Sequence, residues 1–317
     1  MLLMKKTVAF LLALVPSVLA DEWYNEWKDN TILMAQDVYD NWRHEMPESG
    51  FMPSFLSFEF TSNMGERHGA SELCWQQYGI NVPLADPRRS GGDDWMFNAS
   101  FNAQFTYVNA DGALNLRRSD LYNFSLPVSA IVPRPSGNLF IAAVSPAMSS
   151  DFVHRAHSFH VNFLVSYQVK HSESLTYSVG LAHSPDATIF ALVPVVNFDW
   201  RMTPDWRLSL SGFKLTVLRK INERLDMGLF AQGSGGSWAV NRQDGTRMLR
   251  IRSLVAGVMA EYDFSNPGET RRIVSLSLGS TLATTVDVCR YNSDYDRIEG
   301  RHYHPGLFVS GAVDFRF

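Results

Sequence analysis

The stretch DWMFNASFNAQFTYVNADG, residues 94–112, decides the fold. Trp95, Phe97, Ala99, Phe101, Ala103, Phe105 and Tyr107 are apolar at every second position, and Asn98, Ser100, Asn102, Gln104 and Thr106 stand between them. A period of two makes this a β-strand with one greasy face and one polar face. It is roughly twice as long as the five or six residues usual in globular proteins. Its polar face carries amides and hydroxyls rather than charges. A soluble sandwich turns its apolar face inward and shows charge to water. This strand instead fits a wall with lipid outside and a hydrogen-bonding lumen inside.

The same period recurs along the chain. Phe159, Val161, Phe163, Val165, Tyr167 and Val169 alternate with His160, Asn162, Ser166 and Gln168. Leu225, Met227 and Leu229 form a further face, as do Leu254, Ala256 and Val258, and Val274, Leu276 and Leu278 stand opposite Ser275 and Ser277. The expected fold class is therefore all-β, a transmembrane antiparallel up-and-down β-barrel. Closure follows because an open edge in lipid would leave backbone groups unpaired. Alternation marks strands near 53–62, 94–109, 120–132, 139–146, 156–169, 174–184, 188–200, 206–212, 214–221, 225–241, 249–263, 272–288 and 304–317. That number is odd, whereas bacterial single-chain barrels are even. Counting ELCWQQYGINV (72–82) as a strand gives fourteen, the favoured count; leaving 53–62 outside the wall gives twelve.

Residues 1–20 read as a signal peptide, with Lys5 and Lys6 before an apolar run and Val18 and Ala20 at the cleavage spacing. Within residues 21–50, Trp23, Trp27, Met34, Val38 and Trp42 fall at helical spacing, which predicts an N-terminal amphipathic helix. The barrel occupies 51–317. Without Lys5 and Lys6 the remaining 26 basic and 32 acidic residues leave a net charge of −6, which argues against nucleic acid as a partner. Short links near 133–137, 170–174, 201–205, 221–224 and 264–270 alternate with longer ones at 109–119, 145–155 and 289–304. Bacterial barrels keep short turns on the periplasmic side and long loops outside. The chain ends in Phe315 and Phe317 on a lipid-facing register, an aromatic-terminated strand of the kind outer-membrane proteins present to their assembly machinery. The predicted location is the bacterial outer membrane, with its lipid and that machinery as partners.

In a fourteen-stranded barrel Cys74 and Cys289 come near the same end of the seam, where a disulfide would clip first strand to last; with twelve strands Cys74 cannot reach. Arg250 and Arg252 share the lipid-facing parity of Leu254, which suggests contact with lipopolysaccharide phosphates near the outer interface.

Four segments, SPAMSSDF (145–152), GLAHSPD (180–186), LVPVVNFDWRMTPDWRLSL (192–210) and the turn-and-strand GSGGSWAV (233–240), resemble a bacterial outer-membrane family catalogued as a domain of unknown function. The resemblance runs over about residues 53–317 and leaves the N-terminal helix outside. It implies the barrel and brings no catalytic residue.

Chemistry is sparse. His160 and His183 are the best bases for a lipid hydrolase, but there is no G-x-S-x-G motif and no triad, so an enzyme is not expected. His302 and His304 form an H-x-H pair without a third ligand, and neither metal nor cofactor is expected. Asn98, Ser100, Asn102, Gln104, Thr106, His160, Asn162, Ser166, Ser275 and Ser277 are the candidate lumen residues; Trp95, Phe97, Phe101, Phe105 and Tyr107 are the lipid-facing set. A neutral polar lumen predicts a narrow pore for small solutes without strong ion selectivity. The other readings are a non-conducting barrel acting through its outer loops, in adhesion or envelope structure, and, third, the lipid hydrolase.

Overall fold

The computed structural model of the chain describes residues 54–65, 72–85, 95–110, 114–134, 136–153, 159–183, 192–265, 271–290 and 297–316. The expected signal peptide and N-terminal helix lie outside these residues.

The described residues form one antiparallel sheet of strand segments in chain order. These are β1 (Ser54–Gly65), β2 (Glu72–Ala85), β3 (Met96–Asn109), β4 (Asp120–Ser125), β5 (Val128–Pro133), β6 (Leu139–Ser150), β7 (Phe159–Lys170) and β8 (Leu175–His183). They continue as β9 (Val193–Arg201), β10 (Trp206–Ser211), β11 (Lys214–Lys220), β12 (Leu225–Arg242), β13 (Gly245–Asp263), β14 (Arg271–Arg290), β15 (Arg297–Tyr303) and β16 (Leu307–Arg316). β4 and β5 are halves of one wall strand, since both lie between β3 and β6. The break falls at Leu126–Pro127, where proline has no N–H to give the ladder. β15 and β16 likewise share β14, interrupted at His304, Pro305 and Gly306.

Sixteen segments therefore build fourteen wall strands, and ELCWQQYGINV lies in the second of them. The loop expected at 289–304 contains β15. β1 pairs with β16 from Ser54↔Asp314 to Thr61↔Phe308, which closes the ring. Closure gives every strand of the ring a neighbour on both sides, the condition a wall in lipid must meet.

Alternation sorts the two faces. Phe159, Val161, Phe163 and Val165 on β7, Val179 and Leu181 on β8, Leu229 on β12, Val258 on β13 and Leu276 and Leu278 on β14 are all exposed. So wide an apolar band has no place in water and fits hydrocarbon.

The wall is uneven in height. β8 to β11 have 9, 9, 6 and 7 residues, whereas β12, β13 and β14 have 18, 19 and 20. A membrane-crossing strand needs only about 9–11 residues, so the three long strands project well past the others. They do so at the end opposite both described termini, and what they do there shapes the lumen.

Candidate functional site: a capped lumen with a polar wall

The inner face is laid out by parity. On β3, Asn98, Ser100, Asn102, Gln104 and Thr106 lie on the buried or half-buried side, while Trp95, Phe97 and Phe101 are exposed and Phe105 and Tyr107 half-buried on the other. Asn102 Nδ2 donates to Ser125 Oγ at 3.3 Å, and Thr106 Oγ1 accepts from Gln77 Nε2 at 3.2 Å. His160, Asn162 and Ser166 share the inward face of β7, and Ser275 and Ser277 that of β14. The side chains of Phe315 and Phe317 lie outside the described residues.

The long strands do not stay in the wall. β12 runs beside β11 only as far as Gln232, opposite Lys214, and then carries the segment Gly233-Ser-Gly-Gly-Ser237. Gly235 has φ 118°, a conformation closed to residues with a Cβ, and a Cβ there would strike the Ile251 carbonyl. A Cβ on Gly236 would meet the Trp238 ring at 2.8 Å. The glycines bend the strand across the barrel. Its segment reads as continuous strand, with no turn inside GSGGSWAV. Gln77 Nε2, on the inner face of β2, reaches the Gly235 carbonyl at 3.4 Å, so opposite walls touch through this bend.

Beyond the bend the β12–β13 hairpin lands on the far side. Ala239 pairs in parallel with Ser150 at the end of β6, and Leu116 bridges Arg242. Asp151 is fully buried and fastens the contact. Its Oδ2 accepts the Asn241 backbone N–H at 2.7 Å, and its Oδ1 accepts Asn241 Nδ2 and the Val153 N–H, each at 3.0 Å. The Asp151 N–H donates to the Ala239 carbonyl, and the Arg117 N–H to that of Asn241, each at 3.1 Å. Arg242 donates to Glu299 on β15 at 2.9 Å.

Under this hairpin sits an apolar core drawn from inward-facing residues: Trp75, Leu121, Trp238, Leu249, Val286 and Tyr303 are among its members. Burying each such side chain contributes about 1.5–3 kcal/mol. Lifting the hairpin would expose them together, so the cap is a fixed part of the barrel rather than a mobile flap. Below it, Leu218, Phe230, Val255, Met259 and Phe308 form a second apolar cluster, with the Phe230 and Phe308 rings 5.9 Å apart across β13 and β14. The lumen is therefore not polar all round, as the sequence suggested: apolar side chains fill it beneath the hairpin and around Phe230 and Phe308, next to inward serines such as Ser275 and Ser277.

The side that the hairpin leaves uncovered carries a cavity. Of about 250 Å³, it lies against β7–β10, lined by Gln168, Ser178, Asn197, Asp199, Arg207 and Ser209 on its polar part and by Leu164, Val195 and Leu210 on its apolar part. Arg207 donates Nε to Asp199 Oδ1 at 2.9 Å and its second nitrogen to Oδ2, a two-point pair inside the wall. Asn197 Nδ2 donates to Ser178 Oγ at 3.1 Å, and the hydroxyls of Ser209 and Thr216 are 2.6 Å apart. The charges of Glu261 and Asp226 also act on Arg207. None of these four charged residues stood among the sequence candidates. Their signal was inward parity: Asp199 follows Val195 and Asn197 at two-residue steps, and Arg207 precedes Ser209.

Other expectations change. Cys74 and Cys289 are not joined by a disulfide. The last strand and β1 lie between β14 and β2, three strand spacings or roughly 14 Å, and a disulfide needs about 7 Å or less. Arg250 is 1% exposed, close to Cys289, and so offers no surface charge to a lipid phosphate. Arg252 is exposed but already paired with Asp287, which Arg297 also contacts at 3.1 Å. His183 stacks on Phe163 on the outer face, while His160 is on the inner one, so these two cannot serve one reaction centre.

Several solved barrels resemble this arrangement at a distance. The COG4313 outer membrane channel from Pseudomonas putida F1 is 11% identical, with 84% of this chain and 97% of that one covered and a TM-score of 0.42. The P. putida toluene transporter TodX is also 11% identical, covering 85% and 90%, with a TM-score of 0.33. The translocator domain of the autotransporter NalP from Neisseria meningitidis is 14% identical, covering 93% and 96%, at 0.32. Likenesses this distant say nothing about a shared solute. No curated protein matches the chain in sequence. Residues 46–286 match the family described as a domain of unknown function, DUF6268, and since they make up most of the chain, the protein belongs to that family.

Proposed function

We propose that the protein is an outer-membrane pore for small solutes whose path runs off-axis, along the inner face of β7–β10. The observation that carries this reading is the division of the lumen. Apolar side chains fill the space beneath the hairpin, while hydrogen-bonding groups line a cavity on the opposite wall. A lumen meant only to be filled would be cheaper to complete with hydrocarbon on both sides, because buried polar groups need partners to be tolerated. The exposed apolar band supports membrane insertion. Both described termini lie at one end, which becomes the periplasmic end, and the cap then faces outward.

Single-channel recording of the refolded mature protein in a planar bilayer tests the reading, with and without residues 21–50. Steady openings of small conductance are expected from at least the shortened form. Silence from both, with folding confirmed by heat-modifiable gel mobility, rejects the pore. The filled cap favours the second reading in that event, a non-conducting barrel that acts through its outer surface.

A further inference from the structure

We infer that the cavity against β7–β10 is a binding subsite for a neutral, polyhydroxylated solute of about monosaccharide size. The inference deepens the pore reading and rests on it for its use in transport, but the site can be tested alone.

Size comes first. At about 250 Å³ the cavity is smaller than the 300–1,000 Å³ typical of drug-sized ligands, which leaves room for a single small ring. Charge comes next. Arg207 and Asp199 neutralise each other through two hydrogen bonds. An anion entering here would meet the Asp199 carboxylate, and a cation would have to displace Arg207 from it. An apolar solute could pack on Leu164, Val195 and Leu210 but would exclude water from Gln168, Ser178, Asn197 and Ser209 without offering the further hydrogen bonds that their remaining donor and acceptor sites can make. A neutral ligand rich in hydroxyls satisfies all three constraints, because each hydroxyl both donates and accepts.

The groups are also preorganised. Asn197 is held by Ser178 and by the Gly212 N–H at 2.7 Å, and Ser209 by Thr216, so little side-chain ordering remains when a solute enters. Unpaired polar atoms also occur just outside the lining. On the inward face of β7, Ser166 stands between the lining residues Leu164 and Gln168 and is 3% exposed. Its Oγ, and Asn162 Oδ1 on the same face, have no hydrogen-bond partner among the described residues. Buried polar atoms of this kind are costly unless a water or ligand completes them.

The test uses the refolded mature protein in detergent micelles and saturation-transfer NMR, with D-glucose as the probe. Gluconate and glucosamine serve as its anionic and cationic counterparts. Saturation of glucose is expected, with neither charged analogue competing at equal concentration. Asn197→Leu should weaken glucose about tenfold, the effect of one lost buried hydrogen-bonding group. Since Asn197 also supports the Gly212 turn, Ser178→Ala provides a milder variant with the same direction of change. Heat-modifiable mobility verifies folding in each case. Charged analogues that bind as well as glucose, or Ser178→Ala and Asn197→Leu proteins that bind glucose like the wild type, overturn the subsite. Liposome swelling in glucose separates the two proposals. Swelling without saturation leaves a pore and removes the subsite; saturation without swelling leaves the subsite and removes the pore.

Discussion

At Asp151 a fully buried carboxylate accepts N–H groups of Asn241 and Val153, and these contacts hold the tip of a hairpin that belongs to the far wall. Replacing it by alanine strands those donors in a dry site, at about 1–3 kcal/mol for each one left unpaired. Asp151→Ala is therefore expected to lower the temperature at which the folded band disappears from gels, and Asp151→Asn, which keeps an acceptor, to lower it less. Equal shifts for the two would count against the clasp. Gly235 is the second such position. Gly235→Ala places a Cβ against the Ile251 carbonyl at φ 118° and should prevent refolding or reduce its yield severely. Gly137, at φ 79° in an exposed turn with open space around it, should accept alanine for about 1–2 kcal/mol in the same gel assay. Residue-level chemistry of this kind was barely visible in the sequence. Asp151 sat inside the family-resembling segment SPAMSSDF without an assigned partner, because its partner is 90 residues away and depends on a bend that no period reveals.

Strands were legible wherever lipid met one face and hydrogen-bonding groups the other, as on β3 and β7. They were obscure where the inner face turns apolar. On β2, Leu73 and Trp75 point into the cap core while Tyr78 and Ile80 face outward, so both sides read as greasy and the alternation blurs. The tip of β12 was legible as strand, within 225–241, but not as a crossing: Trp238 to Arg242 are buried on both faces, since the hairpin has core beneath it and the end of β6 beside it. The proline breaks at Pro127 and Pro305 split strands without changing the order of the wall, which explains a correct count from segments whose ends were misplaced. If the hairpin is a fixed cap, tying it down should change nothing functionally. Ser150→Cys with Ala239→Cys, in a Cys74→Ala, Cys289→Ala background, places two thiols on directly paired residues. Oxidation should raise thermal stability and leave conductance within about 20% of the reduced protein, a tolerance far below the effect of opening a packed core. A several-fold drop on oxidation would show that the hairpin moves during conduction.

For the whole molecule, the uneven wall turns a symmetric ring into a lumen with two unlike sides, and the side open to solutes becomes a question of sterics. Long β12–β14 strands supply a cap that fills the space beneath it with hydrocarbon, and the short β8–β11 strands keep the cavity wall clear of it. Removing bulk from a packed apolar core creates a dry cavity rather than a path, because such cavities stay empty of water. Adding bulk to a polar route obstructs it. Leu121→Ala, in the cap core, should thus destabilise the barrel by about 2–5 kcal/mol and leave single-channel conductance unchanged. Ser209→Trp, on the polar wall, should do the reverse, lowering conductance several-fold with a smaller change in stability. Measured together in one bilayer system, these two variants locate the route. If Leu121→Ala raises conductance and Ser209→Trp does not lower it, ions pass beneath the hairpin, and the polar wall would have to serve another purpose than passage.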